Sequence, residues 1–243
     1  MKTTGRIAVL IAVTVLLVGC GVTIVNGSGK VITQSRSVAN FTSVVLAGLG
    51  DVTITQGGTE TLTIEAEDNV MPLIKTELKS GTLTISFDQK DWRDVIRPTK
   101  AIKFSLGMKN LRSLELSGAG NFDIPNLKTT SLTIKVSGAG NIKIGRLEAT
   151  ELTTSLTGLG NTELDGQVNR QQVEMSGAGQ YLAGNLNSQT TKITVTGTGN
   201  ATVWARDSLD VTIAGAGNVS YYGSPKVTKN ITGVGILTPQ GNK

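Results

Sequence analysis

Gly-x-Gly followed by an amide is a spacing that cradles phosphate in one setting and neighbours calcium in another, and in this chain it recurs. It stands in LSGAGN (116–121), VSGAGN (136–141), LTGLGN (156–161), MSGAGQ (175–180), VTGTGN (195–200) and IAGAGN (213–218). A nucleotide loop of this kind joins a strand to a helix, whereas every copy here is followed by strand-like alternation. Calcium favours anionic oxygens, and the ligand column reads Asn121, Asn141, Asn161, Gln180, Asn200 and Asn218, all neutral. The corners are therefore expected to be structural, with stacked amides bonding between repeats and glycines supplying positive φ. No metal and no cofactor is implied. General acid–base catalysis fares no better. The chain has no histidine, and Asp123, Lys143 and Glu163 alternate in sign down one column, which is a charge ladder rather than an acidic pair. Asp207 and Asp210 flank a predicted turn beside Arg206 and read as solvated charge. No catalytic residue emerges, and the expectation is that the chain is not an enzyme. What remains for binding is an aromatic pair. Trp204 and Tyr222 both lie seven residues past a repeat glycine, in the column Pro125, Gly145, Asp165, Gly184, Trp204, Tyr222. Alternation turns both outward, about 5 Å apart on adjacent repeats and facing solvent, a platform for the apolar face of a sugar. The same pair also reads as a cross-strand contact that steadies the last repeats, or as a dimer contact.

A second chemistry sits near the start. Lys2 and Arg6 precede an apolar run from Ile7 to Val18, long enough for a signal-peptide core and too short to span a bilayer. The run ends in Leu17-Val18-Gly19-Cys20, which resembles the lipobox of bacterial lipoproteins, where the cysteine is acylated and becomes the new N-terminus. Cys20 is the single cysteine, so no disulfide forms within the chain. Residues 1–19 are thus expected to be a removed signal peptide, Cys20 the lipidation site, and residues 20–35 the lipidated N-terminus and a tether. A membrane partner through the lipid anchor follows. Gly21, in place of the Asp that goes with inner-membrane retention, favours the outer membrane. The formal charge is +5, and losing Lys2 and Arg6 leaves +3 with no basic stripe, which gives no support to nucleic-acid binding.

The elements that hold these residues follow from the repeat. From Gly118 to Gly233 the first glycines are spaced by 20, 20, 19, 20, 18 and 18 residues. Two places before each stand Leu116, Val136, Leu156, Met175, Val195, Ile213 and Ile231. Four before stand Leu114, Ile134, Thr154, Val173, Ile193 and Val211, with Ser, Thr or charged residues between. Strict alternation is a half-buried strand, and strands recurring in phase stack in parallel. Past the corner, Phe122, Ile124, Ile142, Ile144 and Leu164 are further inward candidates, and Leu127, Leu147 and Leu186 mark a third contact per repeat. Thirty glycines, five prolines and 4% aromatic residues suit short strands with tight, repeated corners. The fold class is all-β, a right-handed parallel β-helix with coils of 18–20 residues spanning 36–240, the hand following from the rule for parallel crossovers.

An earlier copy, VLAGLGD (45–51), is separated from Gly118 by 70 residues counted from Gly48. Residues 57–110 are an insertion, with strands at 61–67, 82–87 and 101–106. A short helix is expected near 70–79, with Asp68 or Asn69 as its cap, Pro72 in its first turn and Gly81 just past its end. Residues 88–100 around Trp92 read as an exposed loop, either a ligand loop or part of an N-terminal cap that closes the open end of the rod.

LSGAGN (116–121), VSGAGN (136–141), MSGAGQ (175–180), the leading VLAGLGD and the stretch TIEAEDNVMPLIKTELKSGTLTISF together resemble the auto-transporter adhesin head, GIN domain family, over roughly 36–236. That resemblance implies a β-helical envelope protein, lipid-anchored or secreted, with an adhesive role and no catalytic residues. Two readings stand: an adhesin or binding module whose partner is a glycan or a surface protein, and a structural envelope part with no dedicated ligand. A polysaccharide-active β-helix is the third and weakest.

Overall fold

In the computed structural model, which describes residues 24–88 and 95–243, the alternating segments form one continuous sheet wound into a parallel β-solenoid. The strand before each glycine corner pairs in register with its copy one coil away: Leu116 with Val136, Val136 with Leu156, Leu156 with Met175, Met175 with Val195 and Val195 with Ile213. The strand after the corner does the same, Phe122 opposite Ile142 and Ile142 opposite Thr162. Later coils run almost without interruption, as in Ala139–Leu156 and Asn161–Met175. The inward columns read from the sequence are the core, apart from Ile231 on the last coil, which is exposed. Leu114, Ile134, Val173, Ile193 and Val211 are wholly buried, as are Ile124, Ile144, Leu147, Leu164 and Leu186. Stability therefore comes from each coil covering the apolar face of the last, since no coil can bury its own.

The corner glycines answer a closer constraint than positive φ. A Cβ on Gly138 would lie 1.9 Å from the Gly118 carbonyl oxygen, and one on Gly158 would lie 2.1 Å from that of Gly138. Coils touch backbone to backbone here, and only hydrogen fits. Positive φ adds to this only at the second glycine of the earliest corners, such as Gly140 at +147°. The amide column stacks as expected. Asn121 donates to Asp51 (2.7 Å), Asn141 to Asn121 (2.9 Å) and Asn161 to Asn141 (3.1 Å). Further up, backbone N–H groups of Gln180, Asn218 and Ile236 donate to Asn161, Asn200 and Asn218.

The inserted residues depart from the expectation in three ways. The first is that they supply a coil. Thr82–Phe87 pairs in parallel with Ser43–Leu46, and Lys103–Met108 with Leu49–Gln56, so chain from the insertion lies beneath the VLAGLGD coil. The second is that no helix covers 70–79. Only Met71–Leu73 winds, as a single 3-10 turn with Pro72 at its start, and Ile74–Lys79 is a strand. Ser80 and Gly81, at φ 50° and 75°, make a two-residue hairpin turn that returns the chain antiparallel onto itself. The competing fact was Gly81: a glycine that ends helices also turns hairpins. The third is that the segment assigned to the tether is partly folded. Val31–Arg36 is antiparallel to Thr61–Glu67, which is itself antiparallel to Lys103–Met108, while Ile24–Asn26 pairs with Val95–Arg97. These antiparallel strands cover the edge that the first coil would otherwise expose.

Glu67 ties this end together. The side chain is 1% exposed and accepts from the Thr99 hydroxyl (2.5 Å), the Gly29 N–H (2.6 Å) and the Thr99 N–H (2.8 Å). The Thr99 hydroxyl foremost, with these N–H groups, holds its carboxyl below the usual carboxylate range. Asp68 and Asn69, read as helix caps, bind the N-terminal segment instead, through the Ser28 hydroxyl and the Asn26 carbonyl. At the other end the last coil blunts its own edge. Lys229 stands in the inward column opposite Val211, and Pro239 stands opposite Tyr221, where neither continues an apolar stack. The signal segment, Cys20 and Trp92 lie outside the described residues.

Candidate binding surface

Trp204 lies in the strand Asn200–Ile213 and Tyr222 in Val219–Tyr222, and the two are register partners on adjacent coils. Val203, beside Trp204, is buried in the core, so alternation puts the indole on the outer face as expected. The longer column does not hold. Bulges re-phase the ladder between Glu163 and Asp165 and between Ala183 and Asn187, so that Asp165 faces Asn185 and Trp204 faces Asn187 rather than Gly184. Coils of unequal length cannot keep one offset from the glycine, and the extra residues are absorbed at this side.

Nor are the rings simply open to solvent: both are half-buried. The C-terminal residues run alongside them, with Gln240 N–H donating to the Tyr221 carbonyl (2.8 Å) and Gly223 N–H to that of Gly241 (2.9 Å). This brings the Lys243 ammonium 4.6 Å from the centre of the Tyr222 ring and 5.8 Å from that of Trp204, within reach of both π faces, while it also donates to the Asn185 amide oxygen. The Tyr222 ring reaches Gly184, where a Cβ would come within 3.2 Å of its Cε2.

The charge ladder is present. Asp123, Lys143 and Glu163 are successive partners, and the Lys143 ammonium lies 3.0 Å from Glu163, which raises its pKa. Water screens such exposed pairs, so the ladder sets register more than stability. Asp207 and Asp210 are both exposed, and Asp210 stands opposite Lys192 on the neighbouring coil, so the two do not form an acidic pair set in a cleft.

One polar cluster escaped the sequence reading, and it lies inside the solenoid. Gln171 replaces leucine in the column Leu132, Leu152, Gln171, Thr191, Leu209. Its amide donates to Ser188 and Thr191 (both 3.0 Å) and accepts from the Tyr181 hydroxyl (3.0 Å), and the Ser188 hydroxyl donates to the Trp204 carbonyl (2.7 Å). Burial holds the Tyr181 phenol far above the usual tyrosine range, so it stays a donor. Tyr181 fills space left by its small coil neighbours Thr162 and Ala201. The network is satisfied internally and closed to solvent, which makes it packing rather than a site. The signal was a glutamine six residues before Gly177, where three other coils carry Leu132, Leu152 and Leu209.

Comparison with known proteins agrees with this architecture. Residues 40–225 match the family described as "Putative auto-transporter adhesin, head GIN domain". Among solved structures the chain is similar to a putative adhesin from Bacteroides fragilis NCTC 9343, at 29% identity and a TM-score of 0.81 over 90% of this chain and 100% of that one. It shares its fold with a putative lipid binding protein from Parabacteroides distasonis ATCC 8503, at 23% identity and TM-score 0.72, covering 89% of this chain and 99% of that one. The same holds for a putative adhesin from Parabacteroides merdae ATCC 43184, at 20% identity and TM-score 0.66, with coverage of 89% and 99%. No curated protein matches. Neither the family nor these neighbours is described as an enzyme. With its glycine corners, its stacked amides and most of its length inside the match, the chain belongs to the auto-transporter adhesin head, GIN domain family.

Proposed function

We propose that this chain is a non-enzymatic adhesin module, held in the cell envelope by a lipid on Cys20 and contacting a glycan or a surface protein through the side of its rod. The observation that carries the reading is the outward Trp204–Tyr222 pair on adjacent coils of a rigid solenoid. Aromatic surfaces set side by side at a coil spacing bind apolar faces without any ordering of the backbone, which keeps the entropic cost of recognition low. A Trp204→Ala, Tyr222→Ala double variant is expected to keep its melting temperature within a few degrees and to lose adhesion of whole cells. A double variant that adheres as well as wild type contradicts the reading.

One feature favours a second reading. Lys243 spans both rings, so the pair also has an intramolecular partner and then serves to fasten the last coils. On that reading Lys243→Ala lowers the melting temperature and leaves adhesion unchanged. On the adhesin reading it uncovers the platform and strengthens adhesion.

Anchoring is tested separately. Cys20→Ser is expected to abolish palmitate labelling and leave the precursor held by its leader, because Cys20 is the single cysteine and closes the lipobox-like Leu17-Val18-Gly19-Cys20. In intact cells, added protease should remove the solenoid. Labelling that persists in Cys20→Ser overturns the anchor, and a solenoid protected until the outer membrane is opened overturns the adhesive role.

A further inference from the structure

The aromatic pair is the end of a longer row. Register partners follow one another from Lys128 to Glu148, Gln167, Asn187, Trp204 and Tyr222, a single outward line crossing six coils. Along most of its length this line forms one wall of a surface groove of about 680 Å³, floored by Ala149 and Val168, and its other flank borders a smaller depression that reaches Trp204. At one coil per rung the row from Lys128 to Trp204 and Tyr222 measures roughly 20–25 Å, enough for about four or five pyranose rings laid along the rod axis.

The row is graded in chemistry. Gln167 and Asn187 lie at its centre, with Gln189 on the wall, and among the described residues their side-chain amides hydrogen-bond to nothing. An amide offers one acceptor and two donors, which is what vicinal hydroxyls require. Arg112 and Arg206 line the same groove and form no ion pair among the described residues. Lys128 and Arg146 share the one carboxylate of the row, Glu148, at 3.3 and 3.2 Å. Three basic side chains, Arg112, Lys128 and Arg206, thus line the groove with one acid, while Arg146 reaches Glu148 from the other flank. On the other flank of the row the sign reverses, with Glu163 and Asp165, on the same coil as Gln167, lining the depression where Lys243 sits. A polyanion is therefore drawn to the flank that carries Arg112 and Arg206 and turned away from the flank that carries Glu163 and Asp165. Single-stranded nucleic acid would need aromatics repeated along the row, and they occur only at one end.

We infer that this groove binds a linear acidic polysaccharide, of the uronate class, lying along the rod axis. Trp204 stacks on the ring at one end, Gln167 and Asn187 bond hydroxyls in the middle, and Arg112 and Arg206 pair with carboxylates. The inference rests on the adhesin reading and specifies its ligand and its site.

The test is calorimetric titration of the full-length protein with an oligogalacturonate hexasaccharide and, in parallel, with the neutral maltohexaose. Binding is expected for the acidic sugar alone, and weaker as salt rises. Arg112→Gln with Arg206→Gln should lower affinity at least about tenfold, as loss of charge-assisted bonds implies, with an unchanged melting temperature. Gln167→Ala with Asn187→Ala should weaken binding without altering its salt dependence, a separation that no unfolding artefact produces. Equal binding of both sugars, or full affinity in the arginine variant, overturns the assignment. If the wild type binds neither sugar while cells still adhere, the groove assignment fails and the adhesin reading stands. If oligogalacturonate binds as expected while cells do not adhere, the groove is right and the adhesin reading fails.

Discussion

Val136→Asp is expected to abolish cooperative unfolding, while Ser137→Asp, the next residue, changes stability by less than about 1 kcal/mol. Val136 is 2% exposed and stands mid-stack, between Leu116 on one coil and Leu156 on the next. Its Cγ1 lies so near the following corner that a Cβ on Gly160 would come within 2.8 Å of it. A carboxylate there meets only methyl groups, and the effective penalty for an unpaired buried ion is several kcal/mol, comparable with the whole stability of an ordinary domain at about 5–15 kcal/mol. Ser137 points outward and is exposed, and its N–H, which bonds the Leu116 carbonyl at 3.0 Å, is untouched by the substitution. The effect of Val136→Asp carries a pH signature. Burial raises the folded-state pKa of the new carboxyl above its unfolded value of about 3.9, so the penalty is absent below that value and grows as pH rises through the window between the two. Circular dichroism melts should show partial rescue in acid for Val136→Asp and none for Ser137→Asp. Equal melting temperatures for the two variants at neutral pH would mean that the inward column is misassigned.

Those columns were legible in the sequence because a solenoid repeats its environment. Leu116, Val136, Leu156, Met175, Val195 and Ile213 meet the same surroundings in successive coils, so one alignment on the glycine exposes the core, the corner and the amide ladder together. Legibility failed where the environment does not repeat. Residues 74–79 pair antiparallel within one hairpin, and nothing in IKTELK itself distinguishes a strand from a helix until the partner Thr82–Phe87 is in place. Alternation turns Trp204 outward with Tyr222 beside it, as the register has it, but its partner on the preceding coil is Asn187 rather than Gly184, because bulges shift the register between Ala183 and Asn187 and a fixed offset from the glycine cannot follow them. The continuous row from Lys128 to Tyr222 is invisible for the same reason. Its members lie at different distances from their own corners, and only hydrogen-bond register lines them up. The Lys243 contact had no signal at all, since it depends on where the last strand leaves the rod.

Gly138→Ala is expected to cost about 3 kcal/mol, and Gly57→Ala nothing measurable or a slight gain. Both substitutions add one methyl group, and helix or strand propensity treats them alike. At Gly138 the new carbon would lie 1.9 Å from the Gly118 carbonyl oxygen and within 2.8 Å of the Ser117 carbonyl carbon, both backbone atoms with no rotamer to yield. Relief requires the two coils to part at the corner. That parting strains the bonds closing it, from Ala139 N–H to Gly118 (3.0 Å) and from the Ser137 and Gly138 N–H groups to Leu116 (each 3.0 Å). Around Gly57 there is nothing within 4 Å and its φ lies outside the left-handed region, so an added methyl meets no atom and only narrows the unfolded ensemble. For a domain of this size the Gly138 change should lower the melting temperature by about 5–10 °C, with Gly57→Ala within a degree or two of wild type. The stacking also predicts coupling. Once Gly138→Ala has separated its coil from the one below, Gly140→Ala, whose Cβ would meet the Gly120 carbonyl oxygen across the same gap, finds a looser corner, so the double variant should lose less than the sum of the two. A Gly138→Ala protein that melts like wild type would show that the glycines are not there for backbone contact. Strict additivity of the pair would show that each glycine is relieved alone, without parting the two coils.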